Sequence, residues 1–190
     1  YDAGWDAVRA ARLEKQKRLG LVPAATRLPG RNPGVKPWEE LTEKERRVYA
    51  RYMEVYAGVI DRVDQNVGRL VDALGAIGEL ENTLFMVMSD NGASAEGTPE
   101  GTPNLMLTAY AQDVTLDEAD ALRDVMGGPE TFPHYPRGWA MVSNTPFRMY
   151  KQFTYLGGVC DPLVVHWPRG VQGSGAVRAQ YAHVVDICPT

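Results

Sequence analysis

The amino-acid sequence predicts an α/β fold in which helices pack on a mostly parallel sheet. A periodic apolar stripe over residues 43–77 predicts one long helix, and two short runs, Thr83–Ser89 and Leu163–Trp167, are almost continuously apolar. Such runs are too short for helices and are apolar on both faces, as buried parallel strands are. A long helix that leads into a buried strand is typical of layered α/β domains.

Length, charge and composition restrict the classes of protein to which this chain can belong. Its 190 residues are enough for one hydrophobic core, and 44% of them are hydrophobic, as in globular proteins. The net charge of −4 comes from 20 basic and 24 acidic side chains that are interspersed, so we predict no nucleic-acid partner and no polybasic membrane patch. The sequence contains no run of about 18 apolar residues, so we predict no membrane-spanning segment. Compartment and oligomeric state are left open by the sequence.

The ends of the chain indicate a fragment of a longer protein. The sequence starts at Tyr1 without a methionine or a signal-like segment, and it stops at Thr190 directly after an apolar run. We therefore expect residues 1–190 to be part of a domain that continues beyond them.

The first half of the chain is predicted to be helical on both sides of an irregular stretch. Helical spacing predicts a helix over Asp2–Arg18, and the proline, glycine and arginine residues of 23–37 exclude a helix or a central strand there. Thr42 and Glu45 fit a capping box at the start of the long helix, and Gly78 fits its end. Unbroken, that helix is about 55 Å long at 1.5 Å per residue. Its apolar stripe consists of Val48, Tyr52, Val55, Val59, Val63, Val67, Leu70, Leu74 and Ile77.

The second half of the chain is predicted to alternate loops with short elements. Loops are predicted over 92–108 and 134–139, and a short helix over 115–126, where Thr115 and Glu118 form another capping box. A third sheet element is predicted to begin at 182–187.

The two cysteines, Cys160 and Cys188, are predicted to be buried thiols. They are 28 positions apart and neither has a second cysteine nearby, so the sequence contains no disulfide framework. Free cysteine is among the residue types that are most often buried.

Asp90 and Asn91 are the candidate metal ligands. They follow the first predicted strand directly, and in α/β sheets ligands bind beyond the carboxyl ends of the strands. Their side chains offer hard oxygen ligands that suit Ca²⁺ or Mg²⁺. The alternative is a plain tight turn, because Asn91-Gly92 is also a favoured turn pair.

Lys151 and His134 are the candidate contacts for an anionic substrate. A lysine ammonium offers three hydrogen-bond donors to a tetrahedral anion, and the nearby Gly157-Gly158 pair allows the backbone to approach closely. The alternative for Lys151, and for Arg148 beside it, is a solvated side chain. His134 lies in a predicted loop, where binding residues often occur.

Several linked blocks of the sequence resemble the sulfatase family of type I, the arylsulfatases. The helix containing Arg51–Val59 resembles the long helix of bacterial and fungal arylsulfatases, and Asn82–Ala93, with Ser89-Asp90-Asn91-Gly92, resembles their metal-binding strand. The segment 144–168 resembles their lysine-bearing segment and the strand after it, and 183–190 resembles the next strand and turn. The blocks follow the order and spacing of the family.

The resemblance implies an alkaline-phosphatase-like α/β/α sandwich, of which residues 1–190 are a C-terminal part of the catalytic domain. It implies hydrolysis of small-molecule sulfate esters by a formylglycine made from cysteine or serine, with a divalent cation, usually Ca²⁺ and otherwise Mg²⁺, on the sulfate. Asp90 and Asn91 match metal ligands of the family. Lys151 matches the lysine that contacts sulfate and assists the leaving oxygen.

Some family features are missing from the sequence. The nucleophile motif Cys-x-Pro-x-Arg is absent, since Cys160-Asp161-Pro162 is followed by Val164 where the arginine belongs. Leu156 replaces a usual glutamate, which removes a carboxylate near Lys151. We therefore expect residues 1–190 alone to be inactive. A phosphonate or phosphate monoester hydrolase of the same superfamily, and a non-catalytic homologue that binds a partner, remain as alternatives.

Overall fold

A computed structural model describes residues 1–172 and 175–189 of the protein. Its elements are the helices α1 Gly4–Arg18, α2 Glu43–Ala76, α3 Leu105–Ala109, α4 Leu116–Ala121, α5 Arg137–Ser143 and α6 Leu156–Val159, and the strands β1 Phe85–Met88 and β2 Leu163–His166. Short 3₁₀ turns lie at Trp38–Glu40, Leu80–Asn82, Arg123–Val125 and Val184–Asp186. In this described part, no helix is both long enough and apolar enough to cross a membrane.

An aromatic cluster joins α1, the start of α2 and α5. The ring of Trp5 packs against Trp38, Tyr49 and Trp139, with centroid separations of 4.8, 6.0 and 5.9 Å. The indole of Trp139 is fully buried and donates to the carbonyl of Tyr49 over 2.8 Å. Because large aromatic rings bury much apolar area, this cluster is the centre of the core.

Helix α2 is unbroken, as its periodicity predicts, but only its first turns are covered. The capping box of Thr42 and Glu45 is present, and 34 residues make the helix about 51 Å long. Val48 and Tyr52 are buried, whereas Val63 is 50% exposed and Leu70 57% exposed on the same stripe. The capping box of Thr115 and Glu118 is also present, although α4 ends earlier than predicted, at Ala121.

The two strands differ from the prediction in direction and in burial. β1 and β2 pair antiparallel, with Phe85 opposite His166 and Met88 opposite Leu163. The last residue of β1, Met88, pairs with the first residue of β2, Leu163, so the two strands run in opposite directions. All four residues of β2 are exposed, because no described element covers that face. Apolar composition thus identifies the strands, while their partners determine their burial.

Three further predictions are wrong in detail. The predicted loop 134–139 ends at Pro136, and α5 begins at Arg137 because its apolar residues Trp139 to Val142 pack into the core. The predicted element at 182–187 is the 3₁₀ turn Val184–Asp186, which His183 caps by accepting a hydrogen bond from Val185 N. Cys160 and Cys188 are free and exposed, because they lie in the thinly packed C-terminal part of the chain.

Candidate active site

Asp90 and Asn91 lie just beyond the end of β1, as predicted. Ser89 Oγ donates to the carbonyl of Asn91 over 2.7 Å, and Asn91 Nδ2 donates to the carbonyl of Gly92 over 2.9 Å. This arrangement uses the amide nitrogen of Asn91 and leaves its Oδ1 for a cation. Asp90 is exposed, and its carboxylate has no side-chain hydrogen bond among the described residues.

Three buried glycines join this turn to the lysine-bearing segment. The Gly92 amide donates to the carbonyl of Gly158 over 3.1 Å, and a Cβ at Gly92 would overlap the carbonyl oxygen of Gly157. A Cβ at Gly157 would in turn overlap the carbonyl oxygens of Arg148 and Met149. The two segments therefore meet backbone against backbone, which only glycine permits.

Asn144 and Lys151 bind the same loop from the other side. The Lys151 amide donates to the carbonyl of Ala93 over 3.0 Å, and Asn144 Oδ1 accepts from the Ala93 amide over 2.9 Å. Asn144 Nδ2 donates to the carbonyl of Met149 over 3.0 Å. Met149 and Gln152, near Lys151, have left-handed φ values of 65° and 78°, a conformation that costs free energy and is concentrated at functional sites.

The ammonium of Lys151 contacts a carboxylate that the sequence analysis missed. Lys151 Nζ donates to Glu96 Oε2 over 3.1 Å, and Gln152 Nε2 donates to Glu96 Oε1 over 3.3 Å. Ser94 Oγ lies 2.9 Å from Glu96 Oε2 and donates to it. The hydrogen bonds from Lys151 and then from Ser94 lower the pKa of Glu96, so this carboxylate is charged at neutral pH. The local Ser94-x-Glu96 turn was readable in the sequence, but its contact with Lys151 was not.

His134 is half-buried behind Glu96, and both of its ring nitrogens are engaged. Nδ1 lies 2.9 Å from the carbonyl of Tyr135, and Nε2 lies 2.9 Å from Ser94 Oγ. Burial lowers the pKa of His134 below its ordinary value. The predicted contact of His134 with substrate stays a prediction, and in this structure the ring contacts protein groups.

Asp161 is a second residue of this region that the sequence analysis did not bring to the site. Asp161 lies two residues before β2 and Asp90 two residues after β1, at the same end of the antiparallel pair. Burial, and then the charge of Asp90, raise the pKa of Asp161. The two carboxylates thus lie close enough at this end of the strand pair for the charge of one to act on the other. Their proximity follows only from the strand pairing, so no local sequence signal predicted it.

Comparison with known proteins identifies the family. The sulfatase family model matches residues 13–190. This chain belongs to the sulfatase family. The α/β class predicted from the sequence is confirmed, because sulfatases have an alkaline-phosphatase-like α/β fold.

Individual sulfatases match the whole chain or most of it. An uncharacterised sulfatase from Schizosaccharomyces pombe is 35% identical over 191 residues, which cover 100% of this chain and 33% of that protein. An arylsulfatase from Klebsiella aerogenes is 32% identical over 193 residues, with 100% and 39% covered. The human N-acetylgalactosamine-6-sulfatase is 24% identical over 135 residues, with 71% and 18% covered. The chain therefore spans between a third and two fifths of the length of the first two relatives.

The donor set of this sulfatase chain fits part of a divalent-cation site. Asp90, Asn91 and the nearby Asp161 offer only oxygen donors, which hard cations prefer. Across residues 1–172 and 175–189, however, no group of three or more His, Cys, Asp or Glu side chains is placed to hold a metal. A cation with six to eight ligands needs further donors than these.

Two residues flanking Lys151 also have clear positions. The guanidinium of Arg148 lies over the ring of Tyr155, 5.6 Å from its centroid, and the side chain is exposed. Leu156 begins α6 and is 56% exposed, so no carboxylate approaches Lys151 from that position. Glu96 supplies the carboxylate beside Lys151 instead.

Proposed function

We propose that the full-length protein containing this chain is a sulfuric ester hydrolase of the arylsulfatase type. The main support is the hydrogen bond between the Lys151 amide and the Ala93 carbonyl, which holds the lysine segment against the loop that follows Asp90 and Asn91. The cation ligands and the anion-binding lysine of the proposed site come from segments about 60 positions apart, and this contact brings them together. The match to an arylsulfatase along the whole chain supports the same activity.

In this proposal, different side chains of the chain bind the cation and the sulfate group. The formylglycine expected from an upstream segment supplies the nucleophile, and a bound Ca²⁺ or Mg²⁺ supplies positive charge near the sulfate oxygens. Asp90 and Asn91 Oδ1 hold the cation through oxygen ligands. Lys151 donates to a sulfate oxygen and stabilises negative charge on the leaving oxygen, because fixed positive charge counts most where charge develops.

The test is a comparison of ester substrates with the purified full-length protein. We expect metal-dependent hydrolysis of 4-nitrophenyl sulfate that exceeds hydrolysis of 4-nitrophenyl phosphate and of a phenylphosphonate monoester. Residues 1–190 assayed in parallel should release no nitrophenol, because they contain no Cys-x-Pro-x-Arg motif. Faster turnover of either phosphorus ester would replace the proposal by the phosphohydrolase alternative, and no turnover of any ester would favour a binding protein.

The cation ligands are tested in the same protein by binding rather than by turnover. Asp90→Ala should lower the affinity for Ca²⁺ in calorimetric titration by at least about 10-fold, because ligand charge sets the affinity of such sites. Asp124→Ala is the matched control, since Asp124 is 90% exposed and, within the described part of the chain, forms an ion pair only with Arg123. Equal Ca²⁺ affinities for the two variants would remove Asp90 from the metal site.

A further inference from the structure

When every hydrogen bond between His134, Ser94 and Glu96 is made, the partners of these residues determine the direction of each bond. The Tyr135 carbonyl can only accept, so Nδ1 of His134 carries a proton. The Glu96 carboxylate also only accepts, so the single hydroxyl proton of Ser94 points to Glu96. Ser94 Oγ can then only accept from His134, which requires a proton on Nε2 as well. The network is fully satisfied when the imidazole is charged, a state that burial disfavours and that is populated as the pH falls through the lowered pKa of His134.

Loss of one proton from His134 changes the bond to Glu96. Nδ1 keeps its proton because it faces a carbonyl, so Nε2 becomes an acceptor and the Ser94 hydroxyl must turn toward it. Glu96 then loses the hydrogen bond from Ser94 and keeps those from Lys151 and Gln152. The groups that face the ring are the Ser94 hydroxyl, the Tyr135 carbonyl and the charges of Glu96 and Lys151.

Glu96 also determines where the Lys151 ammonium points. Among the described residues, Glu96 is the side-chain partner of the Lys151 ammonium, which uses one of its three protons there. The side chain of Lys151 is 35% exposed, so its two other protons are accessible to a ligand. A lysine stem is flexible, and an ammonium without a fixed partner would sample many directions.

We propose that Glu96 is a positioning residue that aims the Lys151 ammonium at the substrate anion, and that Ser94 braces Glu96 while His134 is charged. This inference rests on the sulfate-ester function proposed above. Glu96 would thereby supply the carboxylate beside Lys151 that Leu156 does not supply in this chain. Gln152 holds the second carboxylate oxygen, so the carboxylate plane is fixed at both ends.

The test is a double-mutant cycle in the full-length protein with 4-nitrophenyl sulfate. Glu96→Gln keeps the size of the side chain and removes its charge, and it should lower kcat on the order of 10-fold, as loss of an outer partner of a site residue does. KM should change less than kcat, because the aim of Lys151 matters most in the transition state. In a Lys151→Ala background, Glu96→Gln should have no further effect, because Glu96 acts through Lys151.

The matched control is Glu100→Gln, the same substitution on the same exposed loop, with no side-chain hydrogen bond to the site residues. It should leave kcat and KM unchanged. The inference is overturned if Glu96→Gln behaves like Glu100→Gln, or if its effect multiplies with that of Lys151→Ala. A full-length protein that hydrolyses no aryl sulfate overturns the proposed function, and with it the positioning role of Glu96.

The titration of His134 provides a measurement that does not depend on turnover. Hydrogen exchange at the imidazole C2 position, followed by mass spectrometry across pH, reports the pKa of His134 in the full-length protein. Since the charge of Glu96 raises that pKa and the charge of Lys151 lowers it, Glu96→Gln should move the midpoint down and Lys151→Met should move it up. A midpoint that both variants leave unchanged would show that His134 is not coupled to the pair, and the bracing role would fail.

Discussion

The two ends of helix α2 have the same apolar period and opposite environments. Near its start, Tyr49, Tyr52 and Met53 are buried against the aromatic cluster. Beyond Gly58, Val59 and Leu70 continue the stripe at 55% and 57% exposure. The comparison shows that apolar spacing identifies which face of a helix can be buried, whereas the packing partners decide where along the helix that face is buried.

The residues of the candidate site also come from one buried and one exposed region. Lys151 follows α5, whose Trp139 and Met141 are fully buried in the covered region. Asp90 follows β1, in the exposed strand pair. The site is thus assembled where a tightly packed region meets a thinly packed one, through the Gly92 and Asn144 contacts.

The largest expected effect separates the two regions by stability. Trp139→Ala should lower the free energy of unfolding of residues 1–190 by about 3–5 kcal/mol, because it removes a fully buried ring and the bond to Tyr49. Val164→Ala, in the exposed strand β2, should cost less than about 0.5 kcal/mol. Urea unfolding measures both. Equal costs would show that β2 is covered in solution, and the comparison would break.

The next effect concerns turnover at the junction of the regions. In the full-length protein, Lys151→Ala should lower kcat on the order of 10²–10³-fold, or about 2.7–4 kcal/mol, as loss of one preorganised donor does. Lys151→Arg should rescue little, since a planar fork does not replace a compact ammonium. The melting temperature should stay unchanged, because the Lys151 side chain is partly exposed and is not packed in the hydrophobic core.

Arg148→Ala is the control for that experiment. Its guanidinium rests on Tyr155, so its removal should leave turnover near normal. If Arg148→Ala abolishes turnover without unfolding the protein while Lys151→Ala does not, the anion contact belongs to Arg148.

The smallest expected effect sharpens the comparison within α2 itself. Val63→Ser should change the free energy of unfolding of residues 1–190 by less than about 0.5 kcal/mol, because Val63 is half exposed and the two residues have similar helix propensity. Met53→Ala, nearly three turns earlier at a buried position, should cost about 2–5 kcal/mol. A large cost for Val63→Ser would mean that a second copy or another segment covers the stripe.

Features with a local signal were predictable from the sequence, and features made by distant contacts were not. The capping boxes at Thr42 and Thr115 depend on residues three positions apart and are present. The contact of Glu96 with Lys151 joins residues 55 positions apart, and no local pattern records it. The direction of β2 and the exposure of Cys160 likewise depend on what packs beside them.

Linked motifs selected Asp90, Asn91 and Lys151, and their joint role as a site stays a prediction. Each residue alone also had a plain interpretation, as a turn or as a solvated lysine. Their order and spacing within one family carried the site prediction, and the glycine contact supplies its physical basis. The start of α5 was missed because Pro136 and the preceding loop residues conceal a short apolar helix.

The glycine contact also has a consequence for protein engineering. Because main-chain atoms of Gly92, Gly157 and Gly158 set the spacing between the two segments, that spacing is independent of the side chains that line the site. Side chains around the site can then be redesigned without changing that spacing, whereas a substitution that adds a Cβ at Gly92 or Gly157 would push the two segments apart.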